Sequence, residues 1–498
     1  MLVIDEMRQR GGMDQPKLSL PLDGTVASRN AQGTGERLYF WACRITKMYN
    51  TRLSRVRSVF LYILLLALGT YKSRGQLPGT PLILRFTWRS TTGSGDKFET
   101  HFSSEALQHN FDGAIFYLPN ASQTGCQLLW RVHNSFDHMD STSSSEAGYI
   151  GEGDLGYPFT SQVMGTAQLI RKYNPSTGDH ALAAPGEAIS GYYDENFALY
   201  GYPRFGLNNE ILLSNSGGGV TITSNKNAGG ALWEWYWNGK EFINHADYGR
   251  LGQTSMFSSL LQNNTRANPT EAGSNVATIA GKGPFAQGSP ILDFYNSGTS
   301  QVTSSVPLDF NPGVWGGGNE NPVIWRDMQM GKTITVNYAG LGAVAHYQTK
   351  TYQSFSGGEI IEIPTVYLNG DFVKFYSYDA DQNGGAGALV EISLPNANTY
   401  QYAYPAHGGV IAATSDGNFA FGIYAVSTSA GGTDSGFTIF NIIDGGATGP
   451  DNNSCVKLNA FAFGPFNAGW NGYSSYLISG TLANVAAQMH TLKIRGDL

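Results

Sequence analysis

From residue 81 onward the chain alternates short apolar and polar runs, bounded by Gly, Asn, Asp and Ser. Brief β-branched and aromatic runs between such punctuators predict strands rather than helices. The clearest covers 231–237, where Trp233, Trp235 and Trp237 take every second position and leave one face of a strand. Asn238-Gly239 follows, a pair that tolerates positive φ and predicts a tight hairpin into 241–244. Further strands are expected at 210–213, 219–223, 290–295, 301–309, 333–336, 346–352, 360–364 and 372–378, and then at 391–394, 409–414, 419–426, 437–440, 458–463 and 475–482. Residues 249–275 lack the alternation and read as a long polar connection, of the kind that is usually functional. Only 483–493 carries helical spacing, with Leu482, Val485, Met489 and Leu492 on one face.

Between 81 and 205 the pattern recurs three times. Asp96, Asp137 and Asp179 are spaced 41 and 42 residues apart, and Glu105, Glu146 and Glu187 follow them by nine, nine and eight. An apolar-Arg strand precedes each Asp (Leu84-Arg85-Phe86, Trp130-Arg131-Val132 and Ile170-Arg171-Lys172), and an aromatic run follows each Glu. A fixed period with the same residue types predicts three units that must pack together, as in a β-trefoil. The region resembles a family of secreted triple-repeat modules marked by an Asn-Pro-x-x-x-Asp-His turn, of which 174–180 is the best match. Lys97 stands where that pattern has His, and the second unit lacks Asn-Pro. The family accompanies cell-wall and glycan-active domains. The resemblance therefore implies that Asp137, His138, Asp179 and His180 meet sugar hydroxyls. The alternative is that Arg and Asp pair inside each repeat and hold its turn.

The fold class is thus all-β: a threefold β-trefoil-like repeat module at 81–205, followed by a large antiparallel β-sandwich at 206–498. Composition agrees, with 63 Gly and only 14% charged residues in 498. Residues 1–74 differ, holding twelve Lys or Arg against five Asp or Glu; removing them from totals of 31 and 38 leaves 19 against 33, or −14. So acidic a body excludes nucleic-acid binding by field. Residues 48–75 read as a signal peptide: Arg52, Arg55 and Arg57 precede an apolar 59–68 that is too short to span a bilayer. That makes 1–47 a disordered or mis-called extension. The mature chain is expected to be secreted, monomeric and without stable membrane insertion. Cys126 and Cys455 then form an even pair in an oxidising compartment.

Candidate chemistry clusters just past the hairpin, where His245, Asp247 and Arg250 lie within six residues. Trp315-Gly316-Gly317-Gly318-Asn319-Glu320 and Trp325-Arg326-Asp327 set carboxylates in a glycine-rich backbone that can approach a ligand. Residues 237–244 with Asp247 and Arg250, the run 407–419, and the final strand and helix resemble parts of the galactose-mutarotase-like supersandwich. That family holds epimerases, polysaccharide lyases and glycosidase domains, with a His and a carboxylate transferring protons on a concave sheet face. The resemblance implies a polysaccharide or glycan partner, with hydrolase or lyase chemistry or binding alone. It points to His245, Asp247, Glu271, Glu320 and His407 as catalytic, and to Arg250, Trp233, Trp235, Trp315 and Trp325 as substrate-binding. The Trp residues have a second reading as core. Asp379, Asp381 and Asn383 open like a Ca²⁺ loop but lack its closing Glu and its helices, which leaves a plain β-turn as the other reading. No other cofactor is expected.

Overall fold

A strand with one apolar set of side chains needs a second sheet to cover it. The computed structural model of the chain describes residues 84–203, 211–261, 265–274, 287–310, 328–394, 399–403, 408–425, 435–442 and 448–497, apart from 107, 147, 184, 185, 196, 248 and 453. It meets that need with two large antiparallel sheets. The main path of the larger runs Leu212–Gly217, Val220–Asn225, Leu232–Trp237, Gly252–Leu261, Ile360–Asn369, Cys455–Phe463, Ser435–Ile442 and Tyr400–Ala403. The smaller runs Ile291–Ser297, Ser300–Ser305, Met328–Thr335, Val344–Gln353, Gly469–Gly480, Ala420–Ala425, Gly408–Ala413, Lys374–Asp379 and Ala388–Ile392. Val220, Trp235, Val366 and Leu458 of the first meet Ile334, Tyr347, Phe421 and Leu477 of the second in one buried core. The helix Leu482–Arg495 covers part of the smaller sheet's other face, seating Val485, Met489 and Leu492 on Ile411, Tyr424 and Ile478.

The opening hairpin forms as the pattern predicts. Leu232–Trp237 is a strand, and Asn238 and Gly239 take φ of 49° and 77°. The polar connection does not: Gly252–Leu261 is a ten-residue strand near the middle of the larger sheet. Alternation was masked there because Gln253, Thr254 and Ser255 are all buried and polar. Gln253 is held by donating to Arg250 O and accepting from Ala272 N–H.

Residues 84–203 form three small sheets, centred on Leu84–Thr91, Leu129–His133 and Ile170–Asn174, the first of which also takes in Ala167–Gln168 and Tyr200–Pro203 from the end of the stretch. The polar residues that mark the period link one unit to the next. Nδ1 of His138 lies 2.6 Å from Asp96, and Nδ1 of His180 lies 2.6 Å from Asp137. At the third joint only the Lys97 backbone N–H reaches Asp179, because Nζ turns to Thr91 and Asp112. The arginines close a second ring. Arg131 pairs with Glu105, Arg171 faces Glu146 at 3.9 Å and Arg89 pairs with Glu187, so each reaches the Glu of the preceding unit. The same three donate to the carbonyls of Glu99, Asp140 and Leu182. Two sequence alignments are corrected by this. Arg89, not Arg85, is the counterpart of Arg131 and Arg171, and each of the three bridges the Glu of the preceding unit to a carboxylate of its own unit (Asp112, Glu152 and Glu195) rather than to the turn Asp.

The module packs directly on the sandwich. Phe86, Trp88, Tyr117 and Tyr202 share a buried cluster with Val306 and Leu308, and Tyr117 donates to Gly288 O at 3.1 Å. Cys126 lies within 84–203 and Cys455 on the larger sheet, and both are free thiols, which answers the question of bridging that their even number left open.

Candidate functional site

The tryptophans expected to carry a sugar are sealed. Trp233 is 3% exposed and Trp235 0%: Trp235 packs in the core between the sheets, while Trp233, at a bulge in its strand, lies in a separate buried cluster with Ala228, Leu251 and Ala272. Their substrate-binding role is corrected to core packing. Glu271 is also interior, at 1% exposure: it pairs with Lys332, accepts from Thr254 N–H, and lies by Tyr347. A carboxylate closed off from solvent and locked to an ammonium is a structural element, and its catalytic role is corrected accordingly. Glu320, His407, Trp315 and Trp325 lie outside the described residues, as does Asp327.

His245, Asp247 and Arg250 do converge. Asp247 Oδ1 accepts from the N–H groups of Gly249 and Arg250 at 2.8 and 3.1 Å, folding the segment into a tight turn. Gly249 is obligatory there, since a Cβ would stand 2.2 Å from the Phe310 ring. The turn packs on the 448–452 loop. His245 Nδ1 lies 3.1 Å from Asp451, its ring stacks on Trp233 at 4.7 Å, and Arg250 Nη1 donates to Asn452 O at 3.0 Å. Arg250 and Asp247 both act on the thiol of Cys455, which burial pushes up to about 12.

Cys455 leads onto the outer face of the larger sheet, the face turned away from the core. Along Cys455–Phe463, Val456, Leu458 and Ala460 point inward, which leaves Lys457, Asn459 and Phe461 outward. The register sets these in rows. Tyr367, Lys457, Phe440 and Tyr400 lie across four strands in one row, and Thr365, Asn459, Thr438 and Tyr402 in the next. Glu362 sits at the centre. It accepts from Lys457 Nζ at 2.5 Å, Asn459 Nδ2 at 2.7 Å and Ser255 Oγ at 2.9 Å. Burial opposes the Lys457 charge, but Glu362, with Tyr367 and Tyr400, overrides it and holds the ammonium above its usual value. Beside this centre Tyr400 and Phe440 stack at 4.0 Å, and Tyr402 meets Phe461 edge-on at 6.4 Å. Tyr400 is 42% exposed. The sequence did not single out any of these residues. Glu362 and Lys457 are 95 apart, and only strand register joins them. The one available signal was the Tyr-x-Tyr of 400–402.

The repeat residues are turned inward. Asp137, Asp179 and His180 are buried, and their polar atoms are taken by each other, by Tyr149 and by Tyr192. Carboxylate oxygens of Asp96, Asp137 and Asp179 lie within 4.8 Å of one another, a spacing that a cation fits, although all three are already hydrogen-bonded. Burial, then Asp96 nearby, pushes Asp179 up to about 6 against the pull of Tyr192 and Lys97. The Ca²⁺ loop resolves as a turn. Asp381 pairs with Lys493, and Asn383 and Gly384 take φ of 53° and 68°.

No family model matches the chain, and no curated protein matches it. Among solved structures, a galactose mutarotase-like protein from Clostridium acetobutylicum aligns at 7% identity over 56% of this chain and 97% of its own, with a TM-score of 0.33. The 4-alpha-glucanotransferase of Thermococcus litoralis aligns at 7% identity over 55% of this chain and 38% of its own, with a TM-score of 0.32. Heparan sulfate lyase from Pedobacter heparinus aligns at 11% identity over 56% and 36%, with a TM-score of 0.28.

Proposed function

We propose that this is a secreted carbohydrate-active protein, with a β-trefoil-like module fixed to a sandwich whose larger sheet holds the sugar on its outer face. The observation that carries the reading is the Tyr400–Phe440 stack beside the Glu362–Lys457–Asn459 centre. A saccharide offers apolar C–H faces and hydroxyl rims. Aromatic rings suit the first, and a fixed cluster of cation, amide and carboxylate suits the second. His245, Asp451 and Arg250 lie toward one end of the same face, where proton transfer would sit. The resemblance of 237–250 and 407–419 to supersandwich enzymes supports the same substrate class.

One observation favours binding without turnover. Both Glu362 oxygens are occupied by donors, and no second described carboxylate stands beside them in those rows. A panel of polysaccharides tests both readings, with retention, new reducing ends and unsaturated-product absorbance as readouts. The reading predicts retention by at least one polysaccharide, weakened about tenfold by Tyr400→Ala or Lys457→Met. Products would make the protein an enzyme, and retention without products a binding protein. No interaction across the panel, or wild-type behaviour from both variants, overturns the carbohydrate reading.

A further inference from the structure

The smaller sheet has an outer face that the C-terminal helix leaves partly open. Val344–Gln353 points Ala345, Tyr347, Thr349 and Thr351 inward, and His346, Gln348, Lys350 and Tyr352 outward. Register places Gln329 and Trp470 on either side of Tyr352, Gly331 and Gly472 on either side of Lys350, and Thr333 and Ser474 on either side of Gln348. Tyr352 and Trp470 meet edge-on at 5.4 Å, and Trp470 is 40% exposed. Lys350 and Gln348 are exposed, and neither has an ion pair or side-chain hydrogen bond among the described residues. With no side chain on either flank of Lys350, the strip beneath it is a floor about two strand spacings, or roughly 10 Å, wide. A Cβ on Gly472 would meet nothing within 4 Å.

We infer that this strip is a second saccharide site, selective for an acidic polysaccharide. The indole of Trp470 and the ring of Tyr352 form an apolar wall for a sugar face. About 7 Å along the strand, two residues on, an unpaired ammonium stands over an open floor. Gln329, Gln348 and Thr333 supply further hydrogen-bonding groups for hydroxyls. The sign of the ligand follows from Lys350. Residues 75–498 carry about −14 as a whole, so an acidic chain gains only where an ammonium without a carboxylate partner, as at Lys350, offsets that field. The site does not require the larger sheet to bind sugar.

Affinity electrophoresis of the full chain through gels containing polygalacturonate, dextran sulfate or neutral galactomannan tests this. The acidic gels are expected to retard the protein, less so as salt rises, while galactomannan leaves the effect of Lys350 unseen. Stronger retardation by polygalacturonate assigns a carboxylate ligand, and by dextran sulfate a sulfate. Trp470→Ala and Lys350→Met should each weaken retardation about tenfold, and Gly472→Leu should block it by filling the floor. All three are surface changes, checked by unaltered melting. The Tyr400→Ala/Lys457→Met double variant should stay retarded. The inference is overturned if neither acidic gel retards the protein, if the three variants migrate as wild type, or if only the double variant loses retardation.

Discussion

At the scale of single residues, buried charge decides most of what was misjudged from sequence. Glu271 and Lys332 are each about 1% exposed and pair only with one another and with nearby polar groups. Removing one partner leaves the other charged and closed off from water. Lys332→Met should therefore cost about 3–5 kcal/mol in urea denaturation, and Lys332→Met/Glu271→Gln markedly less. Glu241 makes a pH-dependent case. Its Oε1 accepts from Trp235 and Ile243 N–H, its Oε2 has no partner, and burial pushes the group up to about 8. A folded value raised above the usual 4.5 favours the protonated acid. The stability it contributes is full below about pH 4.5 and is lost as pH rises toward 8. Glu241→Gln should flatten that part of the melting-temperature profile; an unchanged slope between pH 5 and 8 would count against a protonated Glu241.

At the scale of elements, the repeat joints are unequal. Two are closed by an Asp–His pair, but at the third Lys97 offers only its backbone N–H to Asp179. Lys97→His should complete the ring, lower the Asp179 value from about 6 and stabilise the module by about 1 kcal/mol near neutral pH. Thermal melts at pH 5 to 7 measure this. A loss at every pH would show that the Lys97 bonds to Thr91 and Asp112 matter more. Much at this scale was legible in sequence. Asn238-Gly239 announced the hairpin, and Leu482, Val485, Met489 and Leu492 announced the helix, of which Val485, Met489 and Leu492 are buried. What escaped was the direction of each face. Alternation alone would place three indoles together, but a bulge at Trp233 sends it to a different buried cluster from Trp235, and nothing in the pattern says which side of the strand the second sheet will cover. The strand at Gly252–Leu261 escaped for a related reason, since its buried positions are polar and hydrogen-bonded.

At the scale of the whole molecule, the module and the sandwich share a hydrophobic cluster through Phe86, Trp88, Tyr117, Val306 and Leu308. A shared buried cluster couples unfolding, so calorimetry should show one main transition for the described body. Leu308→Asp, which buries a charge in that cluster, should split it in two or collapse it. The candidate site is a whole-molecule property as well. Glu362, Lys457 and Tyr400 come from three strands that are distant in sequence, and only sheet register assembles them. That assembly is the central claim, and oxidative footprinting tests it most directly. With Trp470→Ala removing the second site, the saccharide retained best in the panel should protect Tyr400, Tyr402 and Phe440 from hydroxyl-radical oxidation. If that saccharide still binds while those three rings oxidise at their free rate, the outer face of the larger sheet is not where the sugar sits.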